Sequence, residues 1–312
     1  MNILQSIIPV IEQAEHVRIN QRKLGEFCLR FEGLSTDFKQ PFTSIRLNPE
    51  DKIQLDFVYN AANFCYWGEP KWTVTYQDKP ISGAYGMKAA FNRAFEEGFP
   101  LLDPSYLTIL SEGDFAHITR GSGQLPLFQE RILFLHQLGA ILNQKYDGNA
   151  MNVVAAGQGN ALQLLDLVAD NFPCYYDTAT YKGKRVLFYK RAQLFVNNTH
   201  KTLESQGGLS NTEQLTALAD YKVPQLLRNR GILEYSPELA HSIDAYQPIP
   251  SGSEEEVEIR AFTLEAVERM IANLRGKFPY LNSIELDKWL YFESKRKAVD
   301  ERPHHRTLTT AY

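Results

Sequence analysis

The chain is poor in the features that would place it in several large classes of protein. Its three cysteines, Cys28, Cys65 and Cys174, lie far apart and form no Cys-X-X-Cys pair. Neither a zinc ribbon nor a disulfide framework is indicated, and a reducing, cytoplasmic compartment is expected. Long hydrophobic runs are missing as well. Stretches such as residues 133–135 are far shorter than the ~20 residues that cross a bilayer. Residues 3–11 lack a basic flank and soon meet Glu12 and Glu15, so neither a signal peptide nor a membrane span is expected. Excess positive charge is also absent: 33 basic against 37 acidic residues give a net charge of -4. That balance supplies no broad surface for a nucleic-acid backbone, and no direct nucleic-acid partner is expected. Gly121-Ser122-Gly123 lacks the remaining glycine of a dinucleotide loop, and no Walker A or HExxH pattern occurs. Among seven histidines, only His304 and His305 adjoin, and neighbouring side chains diverge on regular elements. No metal and no cofactor are therefore expected.

What is present is a core-forming chain: 44% of its 312 residues are hydrophobic, with 18 Phe, 16 Tyr and 3 Trp. No repeat, low-complexity tract or linker divides residues 1–312, so a single domain is expected. Helical spacing of Ile3, Ile7, Ile8 and Ile11, and of Val17 and Leu24, predicts early amphipathic helices. Alternation of Trp72, Val74 and Tyr76 before a turn at 77–80 predicts a small β element over about 71–83. Helices are predicted over 87–97, from Tyr106 until Gly113 stops the chain, after Pro126, and over 157–170. Tyr181-Lys182-Gly183-Lys184 reads as a turn before the apolar run 186–196. Ser210-Asn211-Thr212-Glu213 has the form of a capping box, predicting a helix to about Ala219. Pro224 disfavours helix at Val223, which leaves residues 220–223 as a corner between that helix and one over 225–229. Helices after Pro237 and over 254–272 complete a wholly helical last third. The predicted class is mainly α, one helical domain with a small β-hairpin insertion and its catalytic part near 186–312.

Four groups of residues could carry chemistry. Asp220 is a carboxylate at the predicted corner, able to face a cleft or to cap the following helix. Asn63-Phe64-Cys65-Tyr66-Trp67-Gly68 joins an amide to three aromatics, which suits either a heterocycle or a core cluster. Tyr189-Lys190-Arg191-Ala192-Gln193 places two cations in an apolar run, where they must pair with acids or meet an anion such as phosphate. Glu256, Glu258 and Arg260 alternate near a helix start, as a solvated face also would.

Taken in order, the strings 63–67, 189–193, 219–225 and 252–261 resemble the queuosine salvage protein family, the queuosine 5'-phosphate N-glycosylases. The resemblance runs from the Val17 region to Pro303-His304-His305-Arg306. It implies a fold similar to helix-hairpin-helix DNA glycosylases. It also implies hydrolysis of the N-glycosidic bond of queuosine 5'-monophosphate, releasing queuine for reinsertion into tRNA; the alternative is a non-catalytic binder of queuine or a related 7-deazaguanine nucleotide. Asp220 matches the family's catalytic acid residue. The implied substrate-binding set is Asn60 and Asn63, the stacking surfaces Phe64, Trp67 and Tyr221, and the phosphate-holding cations Lys190, Arg191, Arg260, His305 and Arg306. Glu258 and Asp287 are either part of that set or the acids that pair with those cations. The family pattern has acids where this chain has Asn60 and Asn197-Asn198, which implies weaker binding of queuine's cationic amine arm and admits a different deazaguanine.

Overall fold

The computed structural model describes residues 2–34, 41–296 and 301–312, and helices dominate it. The chain begins with α1 (Ile3–Gln13), β1 (Val17–Ile19), α2 (Gln21–Leu29) and α3 (Pro49–Ala61). A hairpin, β2 (Thr73–Tyr76) and β3 (Lys79–Ser82), leads into α4 (Gly83–Glu96), α5 (Pro104–Thr108), α6 (Glu112–Ile118) and α7 (Phe128–Lys145). Then come α8 (Ala150–Ala156), α9 (Ala161–Asn171), a second hairpin β4 (Thr178–Tyr181) and β5 (Lys184–Leu187), and α10 (Lys190–Thr202). The last third holds α11 (Lys222–Asn229), β6 (Leu233–Tyr235), α12 (Pro237–Asp244), α13 (Glu254–Leu274) and α14 (Ser283–Glu293). The mainly α class holds, and no helix among the described residues is long and apolar enough to cross a membrane.

The helix starts follow local chemistry. Asn48 accepts the Asp51 N–H with Pro49 in first position, Ser253 accepts the Glu256 N–H, and Asn282 accepts the Glu285 N–H. These side chains satisfy amides that no helical carbonyl reaches. The β2–β3 hairpin lies where alternation placed it, its turn made by Gln77 and Asp78 at positive φ.

Four local expectations are corrected. Val17 lies in β1, which pairs antiparallel with β6 across more than 200 residues, so the last third is not wholly helical. The turn expected at Lys182-Gly183 is present and closes a hairpin, β4–β5, with the apolar run after it divided between β5 and α10. Gly113 does not stop a helix but lies inside α6, capped by Ser111. Val223 is helical, because Pro224 falls in the first turn of α11, where a missing N–H costs nothing. The helix expected to end at Ala219 is instead a 3-10 turn, Thr212–Gln214, followed by extended chain. There Ser210 bridges to Asn160, its hydroxyl and N–H both donating to the Gly159 carbonyl, and so does not cap.

The buried apolar side chains form one continuous cluster. Within it α3 packs on α7, α8 and α10, while α13 packs on α1, α2, α11 and α14. Between these groups of helices lies the cavity described next.

Candidate active site

A cavity of about 980 Å³ is lined by α3, the chain after it, α10, the start of α11, α14 and the tail beyond residue 301. Along α10, Lys190, Leu194, Asn197, Asn198 and Lys201 share one face at helical spacing and form one wall. Along α14 and the turn after it, Asp287, Tyr291 and Lys295 do the same at intervals of four.

Asp220 sits just before α11. Its Oδ1 accepts the N–H groups of Lys222 (2.6 Å) and Val223 (3.3 Å), while Oδ2 has no hydrogen-bond partner among the described residues and the side chain lines the cavity. Capping and facing a cleft are therefore not alternatives here. The cap fixes the carboxylate's orientation, and the second oxygen remains for a ligand.

The extended chain leading to Asp220 has no strand partner, so side chains take up its backbone groups. Thr216 N–H donates to Gln193 Oε1 at 2.8 Å and Leu218 N–H to Asp287 Oδ1 at 3.0 Å. Arg260 Nε donates to the Ala219 carbonyl at 3.2 Å. The same arginine makes a bidentate pair with Asp177, at 2.9 and 2.7 Å. Asp177 Oδ2 also accepts the Lys190 N–H at 3.0 Å, which fixes the start of α10. Although burial opposes its charge, the Asp177 and Glu256 carboxylates hold the Arg260 pKa above its usual value.

Arg260 is thus a clamp behind the cavity wall, and five other residues of the expected set likewise lie outside the cavity lining. Arg191, 2% exposed, donates to the carbonyls of Asn60, Ala61, Cys174 and Ala311. Phe64 is fully buried beneath the guanidinium groups of Arg131 and Arg191, at 4.3 and 5.0 Å, and offers no stacking face to the cavity. Asn60 lies behind Asn63, accepting from its amide at 3.4 Å. Glu258 accepts the N–H groups of Glu15, His16 and Val17 and the Tyr181 hydroxyl, tying the N-terminal segment to α13. His305 is buried against the Tyr312 hydroxyl, and burial, with His304 and Arg260 nearby, pulls it down to about 3, so it is neutral near pH 7. Nor does the tail need an anion to be ordered. Trp67 Nε1 donates to the Thr307 carbonyl, Cys65 N–H to that of Tyr312, and Ile249 N–H to that of Arg306.

Asn63, Trp67, Lys190, Asp220, Tyr221, Asp287 and Arg306 do come together around the cavity, from five separate stretches of chain. Arg306 stacks 5.9 Å from Trp67, and Tyr221 packs on His304 at 4.6 Å. Sequence reasoning missed Asp56, Lys71, Lys222 and Lys295. The spacing Asp287-Tyr291-Lys295 was an available signal for the last. Nothing in the sequence pointed to Lys71, which follows the hairpin into place. Eight lysines and arginines line the cavity against five carboxyl groups, although the whole chain is negative. Burial and the positive neighbours Lys222, Lys71 and Lys190 pull Lys295 down to about 8, with Asp220 opposing.

His16, Glu254 and Glu258 are close enough to share a metal ion, but the N–H and O–H donors already on Glu258 occupy both of its oxygens.

A cavity of this kind, with one half-capped carboxylate, amide and aromatic walls and a cationic rim, suits a small anionic molecule carrying a flat ring. Comparison with known proteins agrees. The family model described as queuosine salvage protein matches residues 44–312. The chain is 35% identical to the queuosine 5'-phosphate N-glycosylase/hydrolase of Sphaerobacter thermophilus, covering 100% of this chain and 98% of that one. It is 34% identical to the protein of the same name from Bos taurus, over 85% of this chain and 84% of the other. At 27%, the Schizosaccharomyces pombe protein of that name still aligns over 90% of both. By that match, carried from the first helices to the anchored tail, the chain belongs to the queuosine salvage protein family.

Proposed function

We propose that this protein hydrolyses the N-glycosidic bond of queuosine 5'-phosphate and releases queuine. Its family and the shared name of its relatives carry that activity, and one observation supports its mechanism: a carboxylate, Asp220, oriented by two amides with its free oxygen on a cation-rich cavity. Cleavage develops oxocarbenium character at C1', and a fixed carboxylate beside it stabilises that charge and takes a proton from the incoming water. Asn63, Trp67 and Tyr221 hold the base by its amide-like edge and its faces. The 5'-phosphate is held by cations drawn from Lys190, Lys222, Lys295 and Arg306. Its binding energy positions C1' against Asp220.

Asp56, one helical turn before Asn60 and on the cavity, is the acid that meets the base's amine arm. The expected likeness to helix-hairpin-helix glycosylases and the reading as one cytoplasmic domain belong to the same proposal. The helical class and the continuous core support the first and last of these, and three free, buried cysteines fit a reducing compartment. Incubating the protein with queuosine 5'-phosphate and following free base by chromatography tests the activity. Stoichiometric binding without release would instead identify a non-catalytic binder.

A further inference from the structure

The second carboxyl group at the cavity is placed quite differently from Asp220. Asp287 is 3% exposed, lines the cavity from α14, and has no cation within ion-pair distance among the described residues. Its Oδ1 accepts the Leu218 N–H at 3.0 Å, and Oδ2 has no hydrogen-bond partner there. A carboxylate enclosed with one amide donor and no counter-ion is costly, whereas the neutral acid needs neither. Burial, with the Asp220 carboxylate nearby, accordingly pushes Asp287 well above the usual carboxylate range, and Lys190 only partly opposes this. Asp220 and Asp287 thus form a pair of like groups in unlike settings, one bonded by two amides at a helix start and the other enclosed, which is how acid and base roles are separated in one site.

The reaction proposed above leaves a role for an acid unfilled. The departing 7-deazaguanine takes the electron pair of the C1'–N bond and, having carbon in place of N7, offers the acceptors of its pyrimidine ring for a proton delivered as the bond breaks. Resting on that reading, we infer that Asp287 is the general acid, donating its Oδ2 proton to an acceptor on the pyrimidine edge of the departing base while Asp220 meets C1'. The C1'–N bond breaks with its pair passing to the base, and the Asp287 O–H bond breaks with its proton passing to the same base. Water supplies the oxygen that ends on C1', and its proton goes to Asp220. Transfer of that proton through solvent to Asp287 restores both groups, so substrate and water become base and ribose 5-phosphate with nothing left over.

The test varies the leaving group. Turnover is measured with queuosine 5'-phosphate and with ribosyl 5'-phosphate bearing 4-nitrophenolate, which departs as a stable anion and needs no proton. Asp287→Asn keeps the acceptor for Leu218 N–H and should lose roughly 10²-fold or more in kcat on the first substrate and only a fewfold on the second. Asp220→Asn should lose on both. Equal loss on the two substrates, or none on either, overturns the assignment. Should the variant not fold, the wild-type protein serves: a fall of kcat with rising pH on queuosine 5'-phosphate that is absent on the 4-nitrophenyl substrate supports an acid, and the same pH profile of kcat on both overturns it. Wild-type protein that releases no base at all defeats the underlying activity, a failure distinct from that of Asp287.

Discussion

At the residue scale, Asp220 combines two properties usually weighed against each other. Asn is as good a helix cap as Asp, so Asp220→Asn should leave the thermal midpoint almost unchanged. Removing the charge at C1' should lower kcat by a factor on the order of 10² or more. An unchanged rate would return the residue to capping alone. Asp56 makes a second single-residue case. Burial raises its pKa, while Lys88 and Lys52 lower it. Asp56→Asn should raise KM for queuosine 5'-phosphate roughly 10-fold, the scale of one charge-assisted hydrogen bond, without changing KM for a 7-deazaguanine nucleotide that lacks the amine arm. A parallel rise for both would show that Asp56 shapes the cavity without meeting that arm. The residue types were legible in the sequence at Asp220, whose short context is distinctive. Asp56 was not, because nothing in its neighbours distinguishes it from any other helical acid.

At the scale of elements, arginines hold the site together from behind. Arg131, fully buried on α7, donates to the carbonyls of Ala62, Phe64 and Cys65, where α3 has ended and no helical N–H remains to bond them, and to that of Pro126 just before its own helix. Arg191 does the same for Asn60 and Ala61, and Arg260 for Ala219. Replacing Arg131 with Leu strands several buried carbonyls, and a loss of about 3–5 kcal/mol in stability is expected. Chemical denaturation would check this, and a loss below ~1 kcal/mol would show that water replaces the guanidinium. The sequence marked Arg191 and Arg260 as cations needing partners. It left phosphate and acids open as those partners, and the structure supplies backbone carbonyls for Arg191 and, for Arg260, Asp177 with the Ala219 carbonyl. A one-dimensional pattern records that a buried charge must be satisfied and says nothing about which distant group satisfies it.

At the scale of the whole molecule, charge is concentrated where it matters: a chain of net charge -4 carries a cation-rich cavity. Lys295, pulled down to about 8, is protonated below that pH and loses its charge as pH rises through it. KM for the 5'-phosphate substrate should therefore rise above about pH 8, while KM for queuosine without the phosphate should stay flat. Lys295→Arg, charged throughout, should remove the rise. A rise of equal size for both substrates would place the effect outside phosphate recognition.

The sequence alone was enough for the mainly helical class, the hairpin at 73–82, several helix starts, and the four strings that mark the family, since each depends on neighbours within a few residues. Tertiary structure decided what long-range contact controls. It paired β1 with β6 and drew residues 215–219 out of a helix because Gln193, Asp287 and Arg260 satisfy their backbone groups. It also set Arg191, Arg260 and His305 behind the cavity wall and brought Lys71, Lys222 and Lys295 to it. Local propensity is read along the chain, but whether a charge faces carbonyls or a cavity depends on residues that folding alone brings near.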